Sequence, residues 1–284
     1  MRPQDWARLL GLAGIWSLQY ILLRLAVPVF GTLPVAEGRA LFGALVVVPL
    51  AIVLGQRIAL RARWRDYLIV CLPNNVLPFA CFAWAATVLP AGYLAIIGGT
   101  TPLFAGIFAH WALGEPLGAR RVAGFAMGLA GVALIVRLGP VALDARAVLG
   151  TLVALVGTAS WGWGGIVIKQ RSAQMPPIGM AAGSTTSSAL LMLPLLAFAP
   201  PPAAWTVESS LALLGLGLLC SGLAYLFFFT LVRDIGPART LTTGLMVPVL
   251  GVLWGWLFLD EAVTLAMLAG IALVIGALAF VLRR

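Results

Sequence analysis

Apolar residues run through this chain in stretches long enough to cross a bilayer, broken by short polar or Pro/Gly segments, with little of the strict alternation that marks a half-buried strand. Taken in order, the runs predict helices near 7–27, 33–54, 66–89, 91–113 and 120–137. A second set follows near 147–169, 178–198, 208–232, 238–259 and 264–282. The breaks carry the residues expected at helix ends: Pro28, Pro34, Pro90, Gly114-Glu-Pro116, Gly139-Pro140, Pro200-Pro-Pro202 and Gly236-Pro237.

The composition makes these runs membrane spans rather than core helices of a soluble domain. Of 284 residues, 62% are hydrophobic and only 10% charged, with mean hydropathy +1.07, too few charges to cover a water-exposed surface. A transmembrane β-barrel would show weaker, alternating segments of about ten residues. The expectation is an all-α membrane protein with ten transmembrane helices. Net charge +9 would suit a nucleic-acid binder if the cations lined one face, but they sit in short loops, so no nucleic-acid partner is expected. Cys71, Cys81 and Cys220 lie inside apolar runs without disulfide or zinc spacing. Arg2 and Arg8 precede the first run, yet no A-x-A-like cleavage signal follows it, which predicts a retained first helix.

The chain contains one pattern twice. Pro102 to Gly124 and Pro248 to Gly270 are both an apolar run that starts at proline, ends near glutamate and continues into a second run. Glu115/Glu261, Gly98/Gly244, Leu113/Leu259, Ala126/Ala272 and Arg137/Arg283 all lie 146 apart. The earlier parts match at 145: Trp16/Trp161, Arg24/Lys169, Ala44/Ala189 and Pro49/Pro194. The repeating unit is therefore five helices, residues 1–140 and 141–284. An odd number of spans inserts the second copy upside down, an inverted-topology repeat. Cation placement gives a separate test. With a cytoplasmic N-terminus, Arg2, Arg8, Arg57, Arg61, Arg63, Arg65, Arg120, Arg121, Lys169, Arg171, Arg233, Arg239, Arg283 and Arg284 all fall inside. Only Arg24, Arg39, Arg137 and Arg146 do not. Both termini are predicted to be cytoplasmic.

Trp16-Ser17 in the first helix, Pro34 and Arg39 in the second, and Pro102 leading to Gly114-Glu115 and Gly124, echoed by Asp260-Glu261, resemble the drug/metabolite transporter superfamily of EamA type. The resemblance covers the whole chain and implies the ten-helix fold, membership among transporters of small molecules and a bacterial inner-membrane setting. The overall pattern is similar to that of bacterial amino-acid exporters within the superfamily, whose members carry amino acids, sugars, nucleotides and drugs.

Candidate site residues follow from polarity at mid-depth. Pro102 and Pro248 each fall near the middle of a span, where proline removes an amide hydrogen and crowds the carbonyl four residues back, at Gly98 and Gly244. Freed carbonyls beside Thr101, Thr242 and Thr243 would either face a substrate amine, making hinged helices, or be satisfied by those threonines. Asn74 and Asn75 must face the bundle interior, as substrate ligands or interhelical links. Their counterparts Cys220 and Ser221 differ, as a substrate without two-fold symmetry would require. Glu37 and Arg39, with counterparts Ala182 and Ser184, are either gate or coupling residues or interfacial anchors. Trp16, Gln19, Tyr20, Phe79, Trp161, Trp163, Tyr225 and Phe228 would line the cavity. Lys169 and Arg24 are each a substrate-facing cation or a topology anchor. Glu115 and Glu261 read as caps for the helices that follow them, and His110 as a packed polar residue. Gly124-x-x-x-Gly128 suits close helix packing or a weak dimer face, so a monomer or weak dimer is expected.

A membrane enzyme is the competing class. One histidine supplies no multi-histidine metal centre, no DxxxD cluster is present to hold magnesium, and no P-loop appears. No cofactor and no metal are expected. The expectation is a secondary transporter in the lipid bilayer, exporting amino acids or similar small polar solutes, with proton coupling through Glu37 open.

Overall fold

The computed structural model of the chain describes residues 2–116, 118–138, 144–171, 175–235, 240 and 243–282. Gly139-Pro140, Gly236-Pro237, Arg239, Thr242, Arg283 and Arg284 lie outside the described residues, as do the side chains of Arg121 and Arg233. Every regular element among the described residues is helical, as apolar surroundings demand of a chain that must satisfy its own backbone. Helices α1 (Pro3–Phe30) and α2 (Thr32–Val53) meet at Gly31, whose φ of +81° lets the chain turn back at once. The third rod is α3 (Trp64–Cys71), a π turn over Leu72–Val76, then α4 (Leu77–Ala85). Next come α5 (Ala91–Gly98) and α6 (Thr101–Leu113), two pieces of one span, followed by α7 (Ala119–Leu138).

The second half comprises α8 (Ala145–Arg171), α9 (Pro177–Met192) ending in a 3-10 turn at Leu193–Phe198, and α10 (Val207–Leu214). A π segment over Gly215–Leu223 joins α10 to α11 (Ala224–Ile235), and α12 (Thr243–Leu259) and α13 (Leu265–Leu282) complete the bundle. Among the described residues seven rods are long and apolar enough to cross a membrane, and shorter apolar helices occupy Val122–Ile135, Met246–Leu259 and Leu265–Phe280. This is a multi-pass helical membrane protein.

Packing is reciprocal between the halves. Helix α1 lies on α12 and on α10–α11, while α8 lies on α6 and on α3–α4. Helix α2 packs on the π segment and on α9, α5 on α12, and α7 on α13. Glycine permits these approaches. A Cβ on Gly43 would meet Ser221 Cβ at 2.9 Å and one on Gly222 would meet Val46 Cβ at 2.7 Å, locking α2 against the π segment. Gly131 and Gly270 bring α7 and α13 together, each within 3.0 Å of the other's carbonyl oxygen by the same measure. The small residues of α7 thus serve packing inside the chain.

Equivalent helix ends are built alike. Gly114 after α6 and Asp260 after α12 both take left-handed backbone, with φ of 68° and 50°. Glu115 N–H then donates to the Ala109 carbonyl (3.3 Å) and Glu261 N–H to the Gly255 carbonyl (3.1 Å), the same closing bond at the same register. The carboxylates differ from expectation. Glu261 does not cap its own following helix; it accepts the Ala91 and Gly92 amides (2.7 and 3.0 Å) at the start of α5, across the bundle, where the helix dipole favours an anion. Glu115 pairs with Lys169 at 3.4 Å, and its carbonyl meets His110 Nδ1 at 2.7 Å.

Charged contacts collect at one end of the bundle. Arg8 meets Asp234 at 3.1 Å, Arg2 meets Asp5 and Asp234, Arg171 pairs with Asp66, and Lys169 with Glu115. Toward the opposite end, Arg24 Nη1 donates to the Ala86 carbonyl at 2.8 Å and Phe30 meets Trp205 edge-on at 5.7 Å. Arg24 is therefore a helix-end anchor, and Lys169, being exposed, forms a surface ion pair.

Candidate functional site

The two prolines of the third rod create the first part of the site. Pro73 and Pro78 lack amide hydrogens, so the backbone between them widens into the π turn and leaves carbonyls without helical donors. Helix α8 supplies the missing donors: Ser160 Oγ to the Pro73 carbonyl (2.8 Å) and Trp161 Nε1 to the Asn74 carbonyl (3.0 Å). The side chains are then pinned. Asn74 Nδ2 donates to Asn75 Oδ1 (2.9 Å) and to Tyr225 Oη (3.3 Å), Tyr225 donates to Asn75 Oδ1 (3.3 Å), and Asn75 Nδ2 donates to Ser188 Oγ (3.0 Å). The amides link the third rod to α9 and α11 while Asn74 stays half-buried.

Arg39 forms the second part. It is 4% exposed on α2, and Glu37 is 3% exposed, which removes the interfacial-anchor reading of both. The guanidinium spans three helical rods: Nε donates to Ser221 Oγ (3.0 Å) in the π segment and Nη2 to Gln19 Oε1 (2.6 Å) on α1. Its carbon lies 4.1 Å above the Phe79 ring and 6.0 Å from the Trp161 ring, so π faces share in stabilising the charge. Among the described residues, the buried side-chain atoms Arg39 Nη1 and Glu37 Oε2 have no hydrogen-bond partner. In a low-dielectric interior an unmet donor or acceptor is costly.

Aromatic contacts close the walls. Trp161 stacks on Phe82 at 4.7 Å, Phe82 meets Tyr20 at 5.8 Å, and Trp16 meets Phe228 at 5.5 Å. Trp254 Nε1 donates to Ser17 Oγ at 2.7 Å, tying α12 to α1. Of the residues expected here, Gln19, Tyr20, Asn74, Asn75, Phe79, Trp161, Tyr225 and Arg39 converge. Trp163 does not: it is 40% exposed and meets Phe108 edge-on at 5.7 Å, because two residues along a helix turn a side chain to the far face. Ser188 is an added partner; it ends the hydroxyl run Ser184-Thr-Thr-Ser-Ser188, a polar marker that the sequence reading did not use. Ser221 was visible only as the counterpart of Asn75.

The helices that carry Pro102 and Pro248 meet beside Tyr20. The helix breaks at Gly99–Thr100, and Pro102 sits in the first turn of the restarted α6, whereas Pro248 lies inside α12. Gly99 packs against Pro248, and a Cβ on Gly244 would meet Pro102 Cγ at 3.4 Å. Thr101 Oγ1 donates to the Gly98 carbonyl (2.7 Å), Thr100 Oγ1 to the Ile97 carbonyl (2.6 Å) and Thr243 Oγ1 to the Thr240 carbonyl (2.9 Å). The Gly98 carbonyl is thus met from within the chain, and Gly98 itself packs against the Tyr20 hydroxyl. The threonine reading of that carbonyl is the one the geometry carries.

Among the described residues no group of three or more His, Cys, Asp or Glu side chains is placed to hold a metal. An apolar cleft of about 490 Å³ opens between α1 and α10, and another of about 430 Å³ lies by Gln56, Arg57, Arg63 and Tyr67, both away from the polar cluster.

The EamA-like transporter family model matches this chain twice, over residues 7–137 and 148–283. The transporter YvbV of Bacillus subtilis (strain 168) is 28% identical, over 94% of this chain and 88% of its own length. Protein PecM of Dickeya dadantii (strain 3937) is 24% identical over 94% and 88%. The inner membrane transporter YedA of Escherichia coli (strain K12) is 25% identical over 85% and 78%. A solved crystal structure, 22% identical, superposes with TM-score 0.70 over 99% of this chain and 96% of that one, a likeness in fold.

Proposed function

Because the chain belongs to the EamA-like transporter family, we infer that it is a secondary transporter exporting amino acids or similar small polar metabolites across a bacterial inner membrane, by alternating access around the cluster at Arg39 and Asn74. The observation that carries this reading is convergence. Gln19, Arg39, Asn74, Asn75 and Phe79 from the first half meet Trp161, Ser188, Ser221 and Tyr225 from the second in one cluster between the halves. An ionisable side chain buried at the centre of such a cluster is a functional-site candidate in a membrane bundle.

Two family matches in tandem, the 146-residue register and the reciprocal packing support two inverted five-helix units, 1–140 and 141–284, and ten spans. The gathering of Arg2, Arg8, Lys169 and Arg171 at one end supports cytoplasmic termini. Glu37, buried with Oε2 unpartnered, is the candidate for proton coupling.

Proteoliposomes loaded with a panel of labelled amino acids, sugars, nucleotides and cationic drugs, with and without a pH gradient, test the reading. Saturable movement of an amino acid is expected, with gradient-driven accumulation lost in Glu37→Gln if that residue carries the proton. Movement of drugs, sugars or nucleotides alone would overturn the substrate class. Absence of translocation with release of a chemical product would overturn the transporter reading.

A further inference from the structure

We propose that the solute held at this site presents a carboxylate, and that Arg39 Nη1 receives it. The proposal rests on the transporter reading and narrows its substrate class. The guanidinium is almost fully buried, with Nε committed to Ser221 and Nη2 to Gln19, while Nη1 carries hydrogens and meets no acceptor among the described residues. Among the described residues no carboxylate lies within ion-pair distance of Arg39. Glu37, the nearest acid along the chain, is two residues away on α2 and so points elsewhere; its own Oε2 is unpartnered. The site therefore holds a cation whose anion is not supplied by the described protein.

The surroundings favour a planar anion arriving at the edge of the guanidinium. Phe79 covers one face at 4.1 Å, and Ser221 and Gln19 fix the orientation, so Nη1 is held in one direction inside the bundle and needs no further ordering once the bundle opens to a solute. Nearby, Asn74 donates both to Asn75 and to Tyr225, leaving its own side-chain carbonyl as an acceptor for the rest of the solute. A buried cation is costly to enclose alone, and a bound carboxylate offsets that cost.

The test titrates the purified full chain in detergent with amino acids, hydroxy acids and dicarboxylates, each beside its methyl ester, and with sodium chloride, following thermal unfolding. At least one acid is expected to stabilise the protein, and its ester to bind about 10- to 100-fold more weakly, the loss of one charge-assisted hydrogen bond. Arg39→Lys should narrow that ratio and Arg39→Gln erase it. If Arg39→Gln does not fold, the acid-to-ester comparison on the unaltered protein decides. Esters as effective as acids, or stabilisation by none of the carboxylates, overturns the proposal. Chloride competing as well as the acid overturns it in favour of an inorganic anion. Counterflow of the stabilising acid in proteoliposomes separates the two readings: binding without counterflow leaves the carboxylate site standing and removes the transporter.

Discussion

Gly251→Leu is expected to leave little folded protein in the membrane. Gly251 lies on α12 where that helix crosses α5, and a Cβ there would occupy the space of the Ala95 methyl. The same crossing is tight along its length: a Cβ on Gly92 would meet Val252 Cγ2 at 3.2 Å, and Gly99 packs under Pro248. No flexible side-chain end is available at Ala95 to swing aside. Overpacking of a filled interior costs about 1–3 kcal/mol, and more where backbones must part. Leucine adds a whole branched side chain, so a loss of about 3 kcal/mol or more is expected against a total of about 5–15 kcal/mol. Gly106→Leu is the control, since nothing lies within 4 Å of its Cβ position. Unfolding midpoints in detergent and the amount recovered from membranes measure both. Equal stability of the two variants would mean that α5 and α12 do not cross at glycine.

Replacing Pro102 and Pro248 together by alanine is expected to slow transport at least about tenfold while stability holds or rises. The two effects have opposite signs because a proline inside a helix costs about 3 kcal/mol relative to alanine, yet loosens the helix where the halves meet. Pro248 lies within α12 and denies Gly244 its helical donor, so most of the gain in stability should come from that site. Pro102 sits in the first turn of α6, where an amide hydrogen has no helical partner in any case, so its replacement changes stability little. Thr100 and Thr101 already satisfy the Ile97 and Gly98 carbonyls at the break. Counterflow rates beside unfolding midpoints separate a stiffened carrier from a damaged one. Wild-type transport in the double variant would dismiss the hinge.

Polar residues inside apolar helices were the most legible part of the site. Asn74 and Asn75 had to face inward because lipid offers their donors nothing, and Gln19 was placed on the cavity side; Arg39, left open between a gate and an interfacial anchor, meets Gln19. The register of 146 residues exposed equivalent helix ends, and Gly114 and Asp260 share a left-handed turn that a glycine in only one copy would not have revealed. What one dimension hides is which rod lies beside which. Glu261 was assigned to its neighbour in sequence, but the open amides it meets belong to α5, some 170 positions earlier. Ser188 and Ser221 are small hydroxyls of a kind common in membrane helices, informative only once Arg39 and Asn75 are seen against them. Trp163 was misplaced for want of a simple test, since Trp161 and Trp163 cannot share a helix face. The π turn at Leu72–Val76 has its cause written in Pro73 and Pro78; the one at Gly215–Leu223 has no proline to announce it.

The central claim is that the polar cluster communicates with each side of the membrane in turn. Cys71, Cys81 and Cys220 are buried and free, so they can be exchanged for alanine or serine and a single cysteine placed at Thr101, half-buried beside the break at Gly99–Thr100. Labelling that cysteine with a membrane-impermeant maleimide, from one face and then from the other in oriented vesicles, tests the claim directly. Reaction from both faces, slowed from both by a transported solute, is the expected result. Reaction from one face only, under every solute condition, would contradict it.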